Sequence, residues 1–153
     1  MNTDVIYYKL EILARYVDRI QSKTPDSSDI LAKDFDSQDI ILMNLQRAVK
    51  ICVDIAAYIL ANSNIPPPMT MVDAFYQLRM LEIITKETSE KMQKSVGFRN
   101  IAIHEYDTIN WEFVFSILCN HVGDFRLYAK EIFDWVETKP DKQKLKYRWL
   151  GFL

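Results

Sequence analysis

The sequence predicts an all-α fold, a single-domain antiparallel bundle of four to five helices, and three observations carry that expectation. Only three glycines occur in 153 residues, well below the usual share of about 7%. Apolar residues recur at steps of three and four almost everywhere, the period of a helix face rather than of a strand. The interruptions are short and rich in proline, asparagine, serine and aspartate, residues that stop one helix or cap the next. Helices joined by such connections pack as antiparallel neighbours.

The first helix follows from the stripe Ile6, Leu10, Leu13, Val17 and Ile20, and ends near Lys23-Thr24-Pro25-Asp26. Asp36 or Ser37 is the expected cap of a long second helix, whose stripe is Ile41, Leu45, Ala48, Cys52, Ile55 and Ile59. Side chains so spaced share one face and bury together. Asn62-Ser63-Asn64-Ile65 and the prolines 66 to 68 stop that helix, and Thr70 with Asp73 resembles a capping box for a shorter third through Phe75 and Leu78. A loop near Thr85 precedes the fourth helix, which carries Met92, Val96 and Ile103 on one stripe and is expected to fray from His104 to Thr108. Asn110 caps a fifth with the stripe Trp111, Val114, Leu118, Val122, Phe125, Ala129, Ile132 and Val136, tolerating Gly123.

Residues 1–138 therefore form the expected bundle, and 139–153 change character. There Lys139, Lys142, Lys144, Lys146 and Arg148 are followed by Trp149, Leu150, Phe152 and Leu153. A solvated tail has this composition, and so does a partner or RNA contact in which basic and aromatic side chains interleave.

Composition narrows the function classes. With 49% hydrophobic and 26% charged residues the chain is an ordinary globular one, and at this length a core burying roughly 70% of the unfolded surface needs no staples. Nineteen basic against 21 acidic residues leave a net charge of −2, so any nucleic-acid site must be local. Cys52 and Cys119 lack the short paired spacing of zinc or redox sites and are expected to be buried structural thiols. Met1-Asn2-Thr3-Asp4 has no basic, then apolar, character, and the longest apolar run is broken by Asp54. A cytoplasmic protein without a membrane span is expected. No glycine-rich phosphate loop, His-Glu-x-x-His helix, nucleophile elbow or cluster of metal ligands occurs in the sequence, so neither metal nor cofactor is expected.

What remains is Arg99-Asn100-Ile101-Ala102-Ile103-His104-Glu105-Tyr106 at the end of helix four. Arg99 falls where the stripe wants an apolar residue, so a permanent cation faces a seam and asks for an anion, either a neighbouring carboxylate or a phosphate. The step from Arg99 to His104 turns about 140° and rises about 7.5 Å on an ideal helix. The two converge on one phosphate if Arg99 reaches along the surface, if the helix unwinds near His104, or if a second subunit completes the site, which predicts a two-fold dimer. Imidazole and guanidinium suffice to cleave RNA. The ribose 2′-hydroxyl is a nucleophile already beside its phosphate, imidazole titrates near neutrality, and guanidinium offsets charge on the phosphate oxygens.

These residues resemble a known family. Arg99 to Tyr106 reads as Arg-x4-His-x-Tyr with the polar Asn100 after the arginine, which is similar to the signature of HEPN-domain ribonucleases of the HepT toxin type. Asp34-Phe35 with Ser37-Gln38-Asp39, Asn44-Leu45-Gln46-Arg47, and Gly97-Phe98 also resemble these proteins, over roughly residues 2 to 137. The resemblance implies a HEPN-like homodimer in which Arg99 and His104 of both subunits line one cleft, with Asn100 in support, and cut cellular RNA, transfer or messenger, without metal. It also implies a minimal nucleotidyltransferase antitoxin, MntA-like, that transfers AMP from ATP to Tyr106. The alternative is a noncatalytic HEPN-like adaptor that docks a nucleotidyltransferase, although such relatives typically lack the Arg and His pair.

Other features have simpler readings. His121 with Asp124 three positions on is expected to be a satisfied imidazole. Lys91 and Lys94 are expected to pair with Glu87 and Glu90, and Tyr7, Tyr8, Tyr16, Phe75 and Tyr76 to serve as core volume.

Overall fold

The computed structural model describes residues 1–139, and every regular element among them is helical. The order is α1 (Thr3–Lys23), α2 (Ser28–Leu31), α3 (Phe35–Ala61), α4 (Met71–Met80), α5 (Lys86–His104), α6 (Trp111–Asn120) and α7 (Gly123–Glu137), with a 3₁₀ turn at Tyr106–Thr108 between α5 and α6. The tail beyond Lys139 lies outside the described residues.

The spine is α3, 27 residues long. It lies against α1, α4 and α5, while α7 covers α5 and α1. The two stripes read from α1 and α3 are buried along their whole length, and fully burying such aliphatic side chains contributes roughly 1.5–3 kcal/mol each. Two buried tyrosine hydroxyls tie the outer helices to the spine and to each other. The Tyr128 hydroxyl, on α7, donates to the Cys52 carbonyl at 2.9 Å, and Tyr7 on α1 donates to Glu137 at 2.8 Å. Burial pushes the Cys52 thiol and the Tyr128 phenol well above their ordinary titration, with the Asp54 charge adding to the first and Cys52 to the second. Cys52 is therefore an inert core residue.

Several elements depart from the expected boundaries. The cap of α3 is Asp34, whose carboxylate accepts the Ser37 backbone N–H at 3.1 Å and the Ser37 hydroxyl at 2.7 Å. Ser37 is thus the third residue of the helix rather than its cap, and those bonds hold the Asp34 carboxyl below its ordinary value. The short α2 arises within the serine- and aspartate-rich stretch because Ser27 accepts the Ile30 N–H at 3.2 Å and Leu31 is buried. The expected fifth helix is two helices, α6 and α7, divided at His121 and Val122. Gly123 weakens a helix interior by about 1 kcal/mol, and Asp124 binds the His121 ring at 3.2 Å across the break. Val122 is still buried, so the apolar stripe survives the turn.

Exposure supplies further corrections. Cys119 is exposed rather than buried. Tyr7 and Phe75 are core residues, but their neighbours Tyr8 and Tyr76 are exposed, because successive helical positions point about 100° apart. Ile103, expected on the buried stripe of α5, is 41% exposed. The first residue of α4, Met71, reaches Arg99, and one turn further along α5 there is no α4 left to cover Ile103.

Candidate active site

The site is built at the junction of α5, the 3₁₀ turn and the start of α3. Helix α5 starts at the Thr85 cap, which accepts the Thr88 N–H at 3.2 Å, and runs unbroken through His104. It closes with the Glu105 N–H on the Ile101 carbonyl at 2.8 Å. The following turn is held by Thr108 N–H on the Glu105 carbonyl at 3.0 Å, and Asn110 then caps α6.

Arg99 is half-buried. Its Nη1 donates to the Met71 sulfur at 3.6 Å, while its Nε is buried without a hydrogen-bond partner. No carboxylate pairs with this guanidinium among the described residues, so the neighbouring-carboxylate reading of its place in the seam is not met. A buried donor left unpaired costs about 1–3 kcal/mol.

His104 is the last residue of α5, exposed, and without a hydrogen-bond partner among the described residues. Asn100 is exposed on the turn before it. Because α5 stays helical through His104, unwinding before the histidine is excluded as a way to bring it beside Arg99. The pair stands about 140° apart around the axis. His104 shares the face of Lys94, Gly97 and Ile101, which lines a groove of about 570 Å³ floored by Phe98, Phe113 and Phe125, whereas Arg99 faces α4.

Tyr106 stands on the 3₁₀ turn, 45% exposed. Its hydroxyl donates to Asp39 Oδ1, on the second turn of α3. That bond raises the phenol above its ordinary titration near 10, with partial burial and the charges of Asp39 and Asp107 acting in the same direction. The sequence brought Arg99, Asn100, His104 and Tyr106 to notice; it did not reveal Met71 or Asp39 as their contacts, 28 and 67 positions away.

The secondary features have ordinary roles. His121 is bound by Asp124, and Lys91 pairs with Glu87 at 3.0 Å and Asp124 at 3.8 Å, which raises the lysine further. Glu90 pairs with Lys86 at 3.8 Å, not with Lys94. Lys94 is left without an ion pair among the described residues, on the His104 face. Among the described residues no three His, Cys, Asp or Glu side chains converge as metal ligands would, and no helix is long and apolar enough to cross a membrane.

A helical bundle of this order, with Arg-x4-His-x-Tyr closing its fifth helix, is a HEPN-type domain. The chain belongs to the ribonuclease HepT-like family, whose model matches residues 13–132. An mRNA nuclease HepT of Shewanella oneidensis is 34% identical over 129 residues, 84% of this chain and 96% of that protein. A tRNA nuclease HepT of Aphanizomenon flos-aquae is 29% identical over 138 residues, 90% of this chain and 94% of the relative. The solved structure of a tri-AMPylated Shewanella oneidensis HEPN toxin in complex with MNT antitoxin matches with a TM-score of 0.80 at 34% identity, over 88% of this chain and 99% of that one. A toxin–antitoxin structure with AMP-PNP gives a TM-score of 0.79 at 34% identity, over 86% and 99%.

Proposed function

We propose that this chain is the toxin of a toxin–antitoxin pair, a metal-independent endoribonuclease acting on cellular RNA, tRNA or mRNA, and that a MntA-like nucleotidyltransferase antitoxin neutralises it by transferring AMP to Tyr106. The observation that carries the reading is the half-buried Arg99, whose Nε has no hydrogen-bond partner and whose charge meets no carboxylate among the described residues, five residues before an imidazole likewise unpartnered among them. The relatives named as mRNA and tRNA nucleases support it.

The chemistry follows from those two groups. Arg99 holds the scissile phosphate and offsets charge developing on its oxygens. His104 takes the 2′-hydroxyl proton as that oxygen attacks the adjacent phosphorus, and a second imidazole or water protonates the leaving 5′-oxygen. No metal is required to generate the nucleophile, because RNA carries it. Within one chain the two side chains face different sides of α5, so a two-fold dimer supplies convergence. Ile101 on α5 and Phe113 on α6, both exposed and lining the same groove, form an apolar surface of the kind an interface covers. AMP on Tyr106 adds a phosphodiester charge and a nucleoside two residues from His104, repelling RNA and offering Arg99 a competing anion.

Cleavage of RNA in the presence of EDTA tests the reading. The unaltered chain cuts and His104→Ala does not, while sedimentation reports a dimer for both. Cleavage by His104→Ala at the unaltered rate, or cleavage only with added divalent ions, overturns the assignment. A chain that never cuts yet binds a nucleotidyltransferase tightly is the adaptor instead.

A further inference from the structure

We propose that Asp39 is the base that receives the phenolic proton of Tyr106 when that oxygen is adenylylated, and that the same carboxylate aims the hydroxyl for the transfer. The inference rests on the reading of Tyr106 as the acceptor of AMP, and it names the group on this chain that makes the acceptor competent.

The geometry carries it. Tyr106 is presented on a turn outside the bundle, and its O–H donates to Asp39 across 67 positions of sequence. Asp39 is itself exposed and has no cationic partner among the described residues, so none of them neutralises its charge. Phe35 and Met43, one turn either side of Asp39 on the same face of α3, are exposed as well, which leaves the approach to the phenol open and apolar. A purely structural role is poorly supported. The turn is fixed by its own backbone bonds at Thr108 and Ile109, and the start of α3 by the Asp34 cap. Neither needs the Tyr106 contact.

The chemistry needs such a group. The carboxylate favours the protonated phenol, so phenolate is not present beforehand and the proton must leave as the new bond forms. The Tyr106 oxygen attacks the α-phosphorus of a nucleoside triphosphate held by the nucleotidyltransferase. The oxygen–phosphorus bond forms, the bond from the α-phosphorus to the bridging oxygen breaks, and pyrophosphate leaves with that electron pair. The proton passes to Asp39 Oδ1 and then to water. Protein kinases use an aspartate in this way on a substrate hydroxyl; here the carboxylate sits on the protein being modified. Once the adduct forms, the oxygen has no proton to donate and carries an anionic diester beside Asp39, so the modified side chain is driven off α3.

The test is adenylylation of the full chain by a MntA-type nucleotidyltransferase with ATP, followed by intact-mass spectrometry, with thermal melting to confirm folding. The unaltered chain gains AMP and Tyr106→Phe does not. Asp39→Asn retains a hydrogen-bond acceptor but cannot take the proton. Its rate at saturating ATP falls roughly 100-fold while the KM for ATP holds, and Asp39→Glu recovers part of the loss. Modification of Asp39→Asn at the unaltered rate overturns the proposal and leaves Tyr106 as the acceptor. An unaltered chain that gains no AMP removes the acceptor reading and the proposal with it.

Discussion

The two ends of α5 are built on opposite principles. At its start Thr85, Thr88 and Ser89 are all bonded within the fold: Thr85 caps Thr88, Glu131 of α7 accepts from the Thr85 N–H at 2.6 Å and from the Thr88 hydroxyl, and Ser89 donates to the Phe75 carbonyl at 3.1 Å. Lys86 and Lys91 pair with Glu90 and Glu87. The cavity on that side is lined by Glu82, Glu131 and Asp134 together with Arg79 and Lys86, so both signs of charge border it. At the other end Arg99 keeps an orphaned donor, and Asn100 and His104 have no partner among the described residues. One end uses its polar groups within the fold; the other leaves them unpaired among the described residues, as the proposed RNA site requires.

Substituting Arg99 gives the largest expected contrast. Arg99→Met keeps an unbranched stem against Met71 and removes the orphaned Nε. RNA cleavage falls by roughly 1000-fold, yet the urea midpoint rises, by about 1 kcal/mol of stability, as expected when an unpaired buried donor is removed. A variant that loses stability along with activity would show that Arg99 serves the fold, and the difference between the two ends of α5 would disappear.

Thr88→Val probes the opposite end and has a smaller effect. Thr88 is fully buried and bonded to Glu131, so the isosteric valine strips a partner from a carboxylate at the α5–α7 seam. Unfolding in urea is expected to become easier by about 1–2 kcal/mol, with cleavage per folded molecule unchanged. A cleavage defect exceeding the loss of folded protein would mean that the two ends are coupled.

How much of this was legible in sequence depends on the range of the interaction. The stripes of α1 and α3 were readable because burial there obeys a local period, and every residue named on them is in the core. The division of α6 from α7 was not, because it turns on a single His121–Asp124 contact and Gly123, which leave the apolar register intact. The same holds for α2, nucleated by one serine cap. Arg99, His104 and Tyr106 were legible as a string of residue types. Their environments were not: Met71 over the guanidinium and Asp39 against the phenol are tertiary contacts that leave no periodic mark. Ile103 was misplaced for a related reason, since a stripe says which face is apolar but not where the neighbouring helix begins.

The smallest effect concerns pH and comes from the exposed side of the same junction. Tyr106 titrates above its ordinary value near 10 in the folded chain because its proton is shared with Asp39. In the unfolded chain it titrates near 10, so the bond contributes fully below that pH and is lost as pH rises through the folded value. Between the two the unfolded state binds fewer protons than the folded one, and stability falls with rising pH. Asp34 behaves with the opposite sign: its lowered carboxyl supports the α3 cap above its ordinary 3.8, and that support disappears as pH falls through the folded value. Water screens the half-exposed phenol, so the alkaline effect on melting is slight, and the titration itself is the better measurement. With ¹³C-labelled tyrosine and Tyr106→Phe to assign the signal, the Tyr106 resonance should move above pH 10 in the unaltered chain and return toward 10 in Asp39→Asn, where the acceptor is no longer an anion. A Tyr106 that titrates like a free tyrosine in both proteins would mean the contact between the 3₁₀ turn and α3 does not form in solution, and the turn that follows α5 would lose its hydroxyl tie to α3.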